Sequence, residues 1–327
     1  MKLVTFYTSG GENRLGVLTS EHSILDLKAA AEASKHDIQT GPFESMLALI
    51  EAGEDALTVA NELVQMPNES CIVDRRDIFL RAPLPLPPQI RDFMAFEHHA
   101  MKSLESALKL RSERASNPEL VKENLVSSGE YSVPKAWYLQ PLYYKCNRFA
   151  VADPEKEIRW PSYSKVMDYE LELACVIGKK GKDIPADLAR NYIFGFTVFN
   201  DLSARDVQGL EMSGRFGPAK SKDFDDASPM GPYLVTLDEI EDPYNLEMIA
   251  RVNGEVRSHG NSGSIYWKFE DMIEHVSRGE TLYPGEIFGS GTIGDGSGLE
   301  LLKFLKAGDE VELEIEKIGC LRNRIIQ

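Results

Sequence analysis

The chain is short of cysteine, of histidine and of positive charge. Its four cysteines, Cys71, Cys146, Cys175 and Cys320, are widely spaced in 327 residues and form no C-x-x-C pair. That pattern suits free thiols in a reducing compartment better than a disulfide framework. Lys and Arg number 36 against 52 Asp and Glu, a net charge of −16, which disfavours nucleic-acid phosphate or an anionic membrane surface as partner. No apolar run approaches the roughly 20 residues of a membrane span, and MKLVTFYTSGG is too short and too polar for a secretory leader. The expectation is a soluble, cytoplasmic protein. The chain has no G-x-S-x-G, no H-E-x-x-H and no P-loop. A formal G-x-G-x-x-G occurs at Gly289, Gly291 and Gly294, but no helix signal follows it and no βαβ unit surrounds it, so dinucleotide binding is rejected.

What is present is enough chain for one large domain and a smaller one. Four prolines between Pro83 and Pro88 make a stiff, extended connection, dividing the chain into residues 1–82 and 83–327. Leu3–Tyr7 and Leu15–Leu18 flank S-G-G-E-N and read as a hairpin. Ile24–Leu27 adds a strand, with Asp26 placed to start a helix. Leu27–Ser34, Phe43–Val64 and Ile265–Ser277 read as helices, and Tyr233–Leu237 and Leu246–Val252 as strands.

The chemistry concentrates between Asp168 and Lys222. In D-Y-E-L-E-L-A, Glu170 and Glu172 alternate with apolar residues and share one strand face. A second apolar run, Ile193–Phe199, ends in Asn200–Asp201. If the two strands are neighbours, three carboxylates converge, and a hard cation such as Mg²⁺, Mn²⁺ or Ca²⁺ would relieve their repulsion. Periodicity alone does not establish this. Near the C-terminus Glu310, Glu312, Glu314 and Glu316 alternate with Val311, Leu313 and Ile315 in the same way, and such a strand is usually a solvated face. The first pair is set apart by the polar residues downstream of it: Asp201, then Ser203, Arg205, Gln208 and Lys222.

E-x-E, then N-D-x-S-A-R-D-x-Q, then G-P…K…S-P resembles the fumarylacetoacetate hydrolase superfamily over most of the chain beyond residue 82. The resemblance implies an α+β fold, mainly β: a rolled mixed β-sandwich behind a small N-terminal α+β domain, commonly as a homodimer. It implies a divalent metal, Mg²⁺ first, on Glu170, Glu172 and Asp201, with Asp92 as a fourth carboxylate. His99 stands seven residues after Asp92 and would be the general base, oriented by Glu300; His98 and Glu97 are lesser candidates. Arg205, Gln208 and Lys222 match residues that bind the oxyanion or enolate. Tyr144, Gly291 and Thr292 match substrate contacts, the loop presenting N–H and hydroxyl groups to a carboxylate. Met94 and Met212 stand where the family has tyrosines, and Leu108 where it has an arginine.

The implied reaction is metal-assisted hydrolysis of a carbon–carbon bond in a β-diketone or acylpyruvate, a small 2-oxo acid substrate. Decarboxylation, dehydration or isomerisation of a 2-oxo acid shares the same site type. A non-catalytic metal- or carboxylate-binding protein would need only the carboxylates. Residues 102–129 read as a polar, partly helical excursion, either a lid or a surface and dimer contact.

Overall fold

A computed structural model describes every residue of the chain except Gly10, Arg114, Glu130 and Phe216. The N-terminal alternation becomes three antiparallel strands, β1 (Lys2–Tyr7), β2 (Arg14–Ser20) and β3 (Ser23–Asp26). Gly10, in the expected turn, lies outside the described residues. The Asp26 carboxylate accepts from Ala29 N at 2.9 Å and caps α1 (Leu27–Glu32). The helix expected from Phe43 to Val64 is two helices, α2 (Met46–Ala52) and α3 (Glu54–Gln65). Gly53 breaks it with φ +73°, a conformation that glycine adopts without penalty.

Further along run β4 (Ile72–Asp74), β5 (Ile90–Phe93), β6 (Tyr143–Cys146), β7 (Glu157–Arg159), β8 (Leu171–Ile177), β9 (Ile193–Asn200), β10 (Ser228–Thr236), β11 (Glu247–Val252), β12 (Glu255–Asn261), β13 (Ile287–Gly289), β14 (Glu310–Ile315) and β15 (Gly319–Ile326). The main sheet runs β4-β3-β2-β1-β10-β9-β8-β13-β5-β6, with short strands Phe79–Leu80 and Val151–Ala152 attached to β1 and β10. A five-stranded sheet, β12-β11-β14-β15-β7, packs against it. Residues 1–82 therefore add their strands to the sheet built by the rest of the chain, joined where Lys2 and Leu3 pair with Val235 and Leu234.

Every residue of β8 and β9 is buried, because both faces of the main sheet are covered. Leu171, Leu173, Cys175 and Ile177 face the second sheet. Ala174, Val176 and Phe199 face a core shared with Leu3, Leu49, Ile50 and Leu63 of the N-terminal part. Glu172 has the parity of Ala174 and so lies on that second face.

The helices that matter for the site are α4 (Glu97–Glu113), α5 (Pro118–Ser128), α6 (Arg205–Ser213), α7 (Phe269–Ser277) and α8 (Gly298–Leu301). α7 begins later than expected. The Tyr266 N–H is committed to Ala95 O at 2.8 Å, and Asp271 caps the helix by accepting from Lys268 N. α4 and α5 form a hairpin over residues 97–128, and α5 buries no residue. Among the described residues no helix is long and apolar enough to cross a membrane.

Candidate active site

Strand register brings three acids together. Asp92 lies on β5, Glu172 on β8 and Asp201 directly after β9; one carboxylate oxygen of each lies within 4.8 Å of the others. All three are buried. β5 and β8 are separated by β13, where Gly289 pairs with Asp92 on one side and Ala174 on the other. A side chain at Gly289 would collide with the Asp92 carboxylate and press on Glu172, so the glycine leaves open the space in which the acids meet.

Burial pushes the Asp92 and Glu172 carboxyls well above the ordinary range, and neighbouring acids push them further: Asp201 acts on Asp92, and Asp92 on Glu172. Asp201 is also raised by burial, against the opposing pull of the Lys222 ammonium. Asp92 Oδ1 and Asp201 Oδ1 have no hydrogen-bond partner. An all-oxygen set with orphaned buried atoms and mutual repulsion fits a hard divalent cation of the Mg²⁺, Mn²⁺ or Ca²⁺ type.

Glu170 stands apart from this trio. It immediately precedes β8, its N–H held by Asn200 Oδ1 at 3.1 Å, and its carboxylate carries two cations. Arg205 Nη2 donates to Oε1 at 2.7 Å and Lys222 Nζ to Oε2 at 2.6 Å. Burial opposes its ionisation, but Arg205 and Lys222 outweigh burial and hold it well below the ordinary range. Lys222 also donates to Asp201, so its ammonium joins Glu170 to the trio, and its pKa is raised by Asp201 and Glu170 against burial. Arg205 Nη1 donates to Gln208 Oε1 at 2.8 Å, which leaves Gln208 a support of the guanidinium in this structure. Tyr144, expected to meet substrate, donates its hydroxyl to Asp201 Oδ2 at 2.7 Å.

His99 is buried in the first turn of α4, with Nδ1 3.0 Å from Glu300 Oε2 and Nε2 3.9 Å from Glu170 Oε1. The Nδ1 contact has hydrogen-bond distance without hydrogen-bond alignment. Glu300 is fixed by a capping box on α8: Oε2 accepts from Ser297 N at 3.1 Å and Ser297 Oγ at 2.9 Å, and Oε1 from Asp295 N at 2.9 Å. A second set, His98, Asp295 and Glu300, also converges within 4.8 Å. Glu300 is already engaged there by Ser297 and the Asp295 N–H, and His98 is exposed. The loop after β13 reaches one of the acids. Gly291 N donates to Glu172 Oε2 at 3.1 Å and Thr292 Oγ1 lies 3.5 Å from Glu172 Oε1, so these groups support an acid of the trio.

Sequence reasoning assigned no role to Asp168 or Ser297. The S-x-x-E of Ser297 and Glu300 is a readable capping signature. Asp168 carried no such signal, because its partners are Arg205 and the α8 backbone, far away in the chain.

A family model described as the fumarylacetoacetate (FAA) hydrolase C-terminal domain matches residues 115–326. The Homo sapiens protein named oxaloacetate tautomerase FAHD2A, mitochondrial, is 42% identical over 195 residues, 59% of this chain and 60% of that one. This chain therefore spans less than two thirds of that relative's length. Rattus norvegicus oxaloacetate tautomerase Fahd2a, mitochondrial, is 35% identical over 286 residues, 86% of this chain and 80% of that one. Maleylpyruvate hydrolase from Sphingobium sp. SYK-6, solved in complex with manganese(II) ion and pyruvate, is 21% identical. It superposes with a TM-score of 0.72 over 100% of this chain and 99% of that one, a likeness of fold.

Proposed function

The chain belongs to the fumarylacetoacetate hydrolase family, and on that basis we propose that it is a divalent-metal-dependent enzyme working through the enolate of a short 2-oxo acid. Keto–enol tautomerisation of oxaloacetate is the first reaction to test. The observation that carries the reading is the placement of a buried histidine, His99, against Glu170 at the edge of a buried carboxylate trio. Asp92, Glu172 and Asp201 would hold the cation, with Glu170 as a further oxygen donor. When bound, the cation would polarise the 2-oxo and carboxylate oxygens of the substrate.

The chain's own residues supply the proton chemistry. His99 Nδ1 faces Glu300, so Nε2 is the nitrogen directed toward Glu170. Glu300 is locked by Ser297 and Asp295 N and would keep the ring in that orientation once the contact aligns as a hydrogen bond. In tautomerisation a proton leaves C3 and one from solvent is added to the 2-oxo oxygen, or the reverse, and His99 Nε2 would take and return the carbon-bound proton. Arg205 and Lys222 are fixed cations beside the trio, able to stabilise the negative oxygen as it develops. The Homo sapiens and Rattus norvegicus relatives both carry the tautomerase name, which supports oxaloacetate as the first substrate.

A second reading is carbon–carbon hydrolysis of an acylpyruvate. The glutamate-held histidine favours it, because the same Nε2 could take a proton from water before attack on the distal carbonyl. One assay separates the two. The ultraviolet band of enol-oxaloacetate is followed with Mg²⁺ or Mn²⁺ and with EDTA, while total 2-oxo acid and pyruvate are measured in parallel. Tautomerisation predicts metal-dependent loss of the band with total oxaloacetate conserved. Release of pyruvate and CO₂ would mark a decarboxylase, and cleavage of acylpyruvates to pyruvate and a carboxylic acid would mark the hydrolase. No turnover of any of them would overturn the enzymatic reading and leave a metal- or carboxylate-binding protein.

A further inference from the structure

Asp168 is fully buried. Its carboxylate is the acceptor for four donors from three segments. Oδ1 accepts from Tyr169 N at 2.9 Å and Gly298 N at 2.8 Å; Oδ2 accepts from Leu299 N at 2.9 Å and Arg205 Nε at 2.7 Å. An ionised carboxylate offers about four lone-pair sites, so the group is saturated. Two of the donors begin α8, two residues and one residue before Glu300. Another is the Nε of the guanidinium whose Nη atoms reach Gln208 and Glu170.

We infer that Asp168 is a positioning residue that holds Arg205 and the Glu300-bearing turn in one frame, so that the anion-stabilising cation and the orienter of His99 are set by a single buried carboxylate. The inference rests on the proposed enolate chemistry. Arg205 is a long side chain with rotatable bonds, and its Nε–Asp168 bond leaves the two Nη atoms as a pre-set fork. α8 is only four residues long and gains little from its own backbone bonds. Its first two N–H groups, which have no partner within the helix, are both satisfied by Asp168. Released from Asp168, Arg205 and Glu300 would each have to find their places separately.

The test measures binding and turnover in the full-length chain. Mn²⁺ affinity is measured by calorimetry, then the affinity of the Mn²⁺-loaded protein for oxalate, a planar dianion that resembles the enolate of a 2-oxo acid. Asp168→Asn keeps the size and replaces one acceptor oxygen by a donor. Expected are Mn²⁺ affinities within about threefold of the parent and oxalate affinity lower by about tenfold in both Asp168→Asn and Arg205→Met, the range of a lost charge-assisted bond. The double variant should bind oxalate no more weakly than Arg205→Met, because Asp168 acts through Arg205. Turnover of Asp168→Asn should fall by a larger factor than oxalate affinity, since the Glu300 turn is released as well.

Unchanged oxalate affinity in Asp168→Asn, or losses that multiply in the double variant, would overturn the link to Arg205. Equal factors for turnover and oxalate would overturn the link to Glu300. If the unmutated chain binds neither Mn²⁺ nor oxalate, the enolate reading itself fails, a result distinct from either. Should Asp168→Asn not fold, Arg205→Lys tests the link to Arg205, because it keeps the positive charge but has no Nε to donate to Asp168; oxalate affinity is expected to fall about as far as in Arg205→Met, and parent-like affinity would overturn the link.

Discussion

Two stretches of this protein carry glutamates at every second position, Glu170 and Glu172 at β8 and Glu310 to Glu316 at β14, and only the first gathers buried acids around it. On β14, Val311, Leu313 and Ile315 are buried while Glu312 and Glu314 point outward and take surface arginines as partners. Arg322 Nη2 lies 2.6 Å from Glu312, and Arg251 Nη1 lies 2.6 Å from Glu314. On β8, Glu172 is fully buried, has no cation of its own, and shares its space with Asp92 and Asp201. Alternation is the same in both. The layer above each strand is not. The five-stranded sheet leaves one face of β14 to solvent, whereas the N-terminal strands and helices cover the corresponding face of β8. A carboxylate that water can screen needs only a loose partner; one removed from water needs a fixed cation, a proton or a metal.

That contrast is open to experiment. The largest effect is expected for Glu172→Gln, which should abolish saturable Mg²⁺ or Mn²⁺ binding by calorimetry and turnover with it, while Glu312→Gln leaves both intact. Next, His99→Ala should lower kcat by about 10²- to 10⁴-fold and leave cation affinity within about threefold. An unaffected rate would remove His99 from the chemistry. Third, adding Mn²⁺ at about 100 times its Kd should stabilise the protein against thermal unfolding by about 2.7 kcal/mol relative to EDTA, and Glu172→Gln should lose that gain. The smallest effect belongs to the surface strand: Glu312→Gln should change stability by no more than about 1 kcal/mol, and less as salt is raised.

Much of this was legible in the chain. The hairpin strands, the Asp26 cap and the strand ending at Asn200–Asp201 come from local patterning, and the separated motifs around Glu170, Asp201 and Lys222 pointed to the family. What the sequence did not show shares a cause. Gly53 divides α2 from α3 because its positive φ outweighs a helical pattern that reads straight through it. Glu170 and Glu172 looked like twins, but the first faces Arg205 and Lys222 and the second faces Asp92. Gly291 and Thr292, expected to present groups to a substrate carboxylate, contact Glu172 in this structure. Each of these depends on which residue from a distant segment arrives opposite.

The order of residues was enough to reach the family and to bring forward the acids, His99 and Glu300 as candidates. Which acids meet, how Gly289 makes room for them, and that Asp168 ties Arg205 to α8 were settled by the folded arrangement. The physical reason is range. Alternation, caps and turns act over a few residues, while the burial that gathers unscreened carboxylates requires neighbours from distant parts of the chain to exclude water from them.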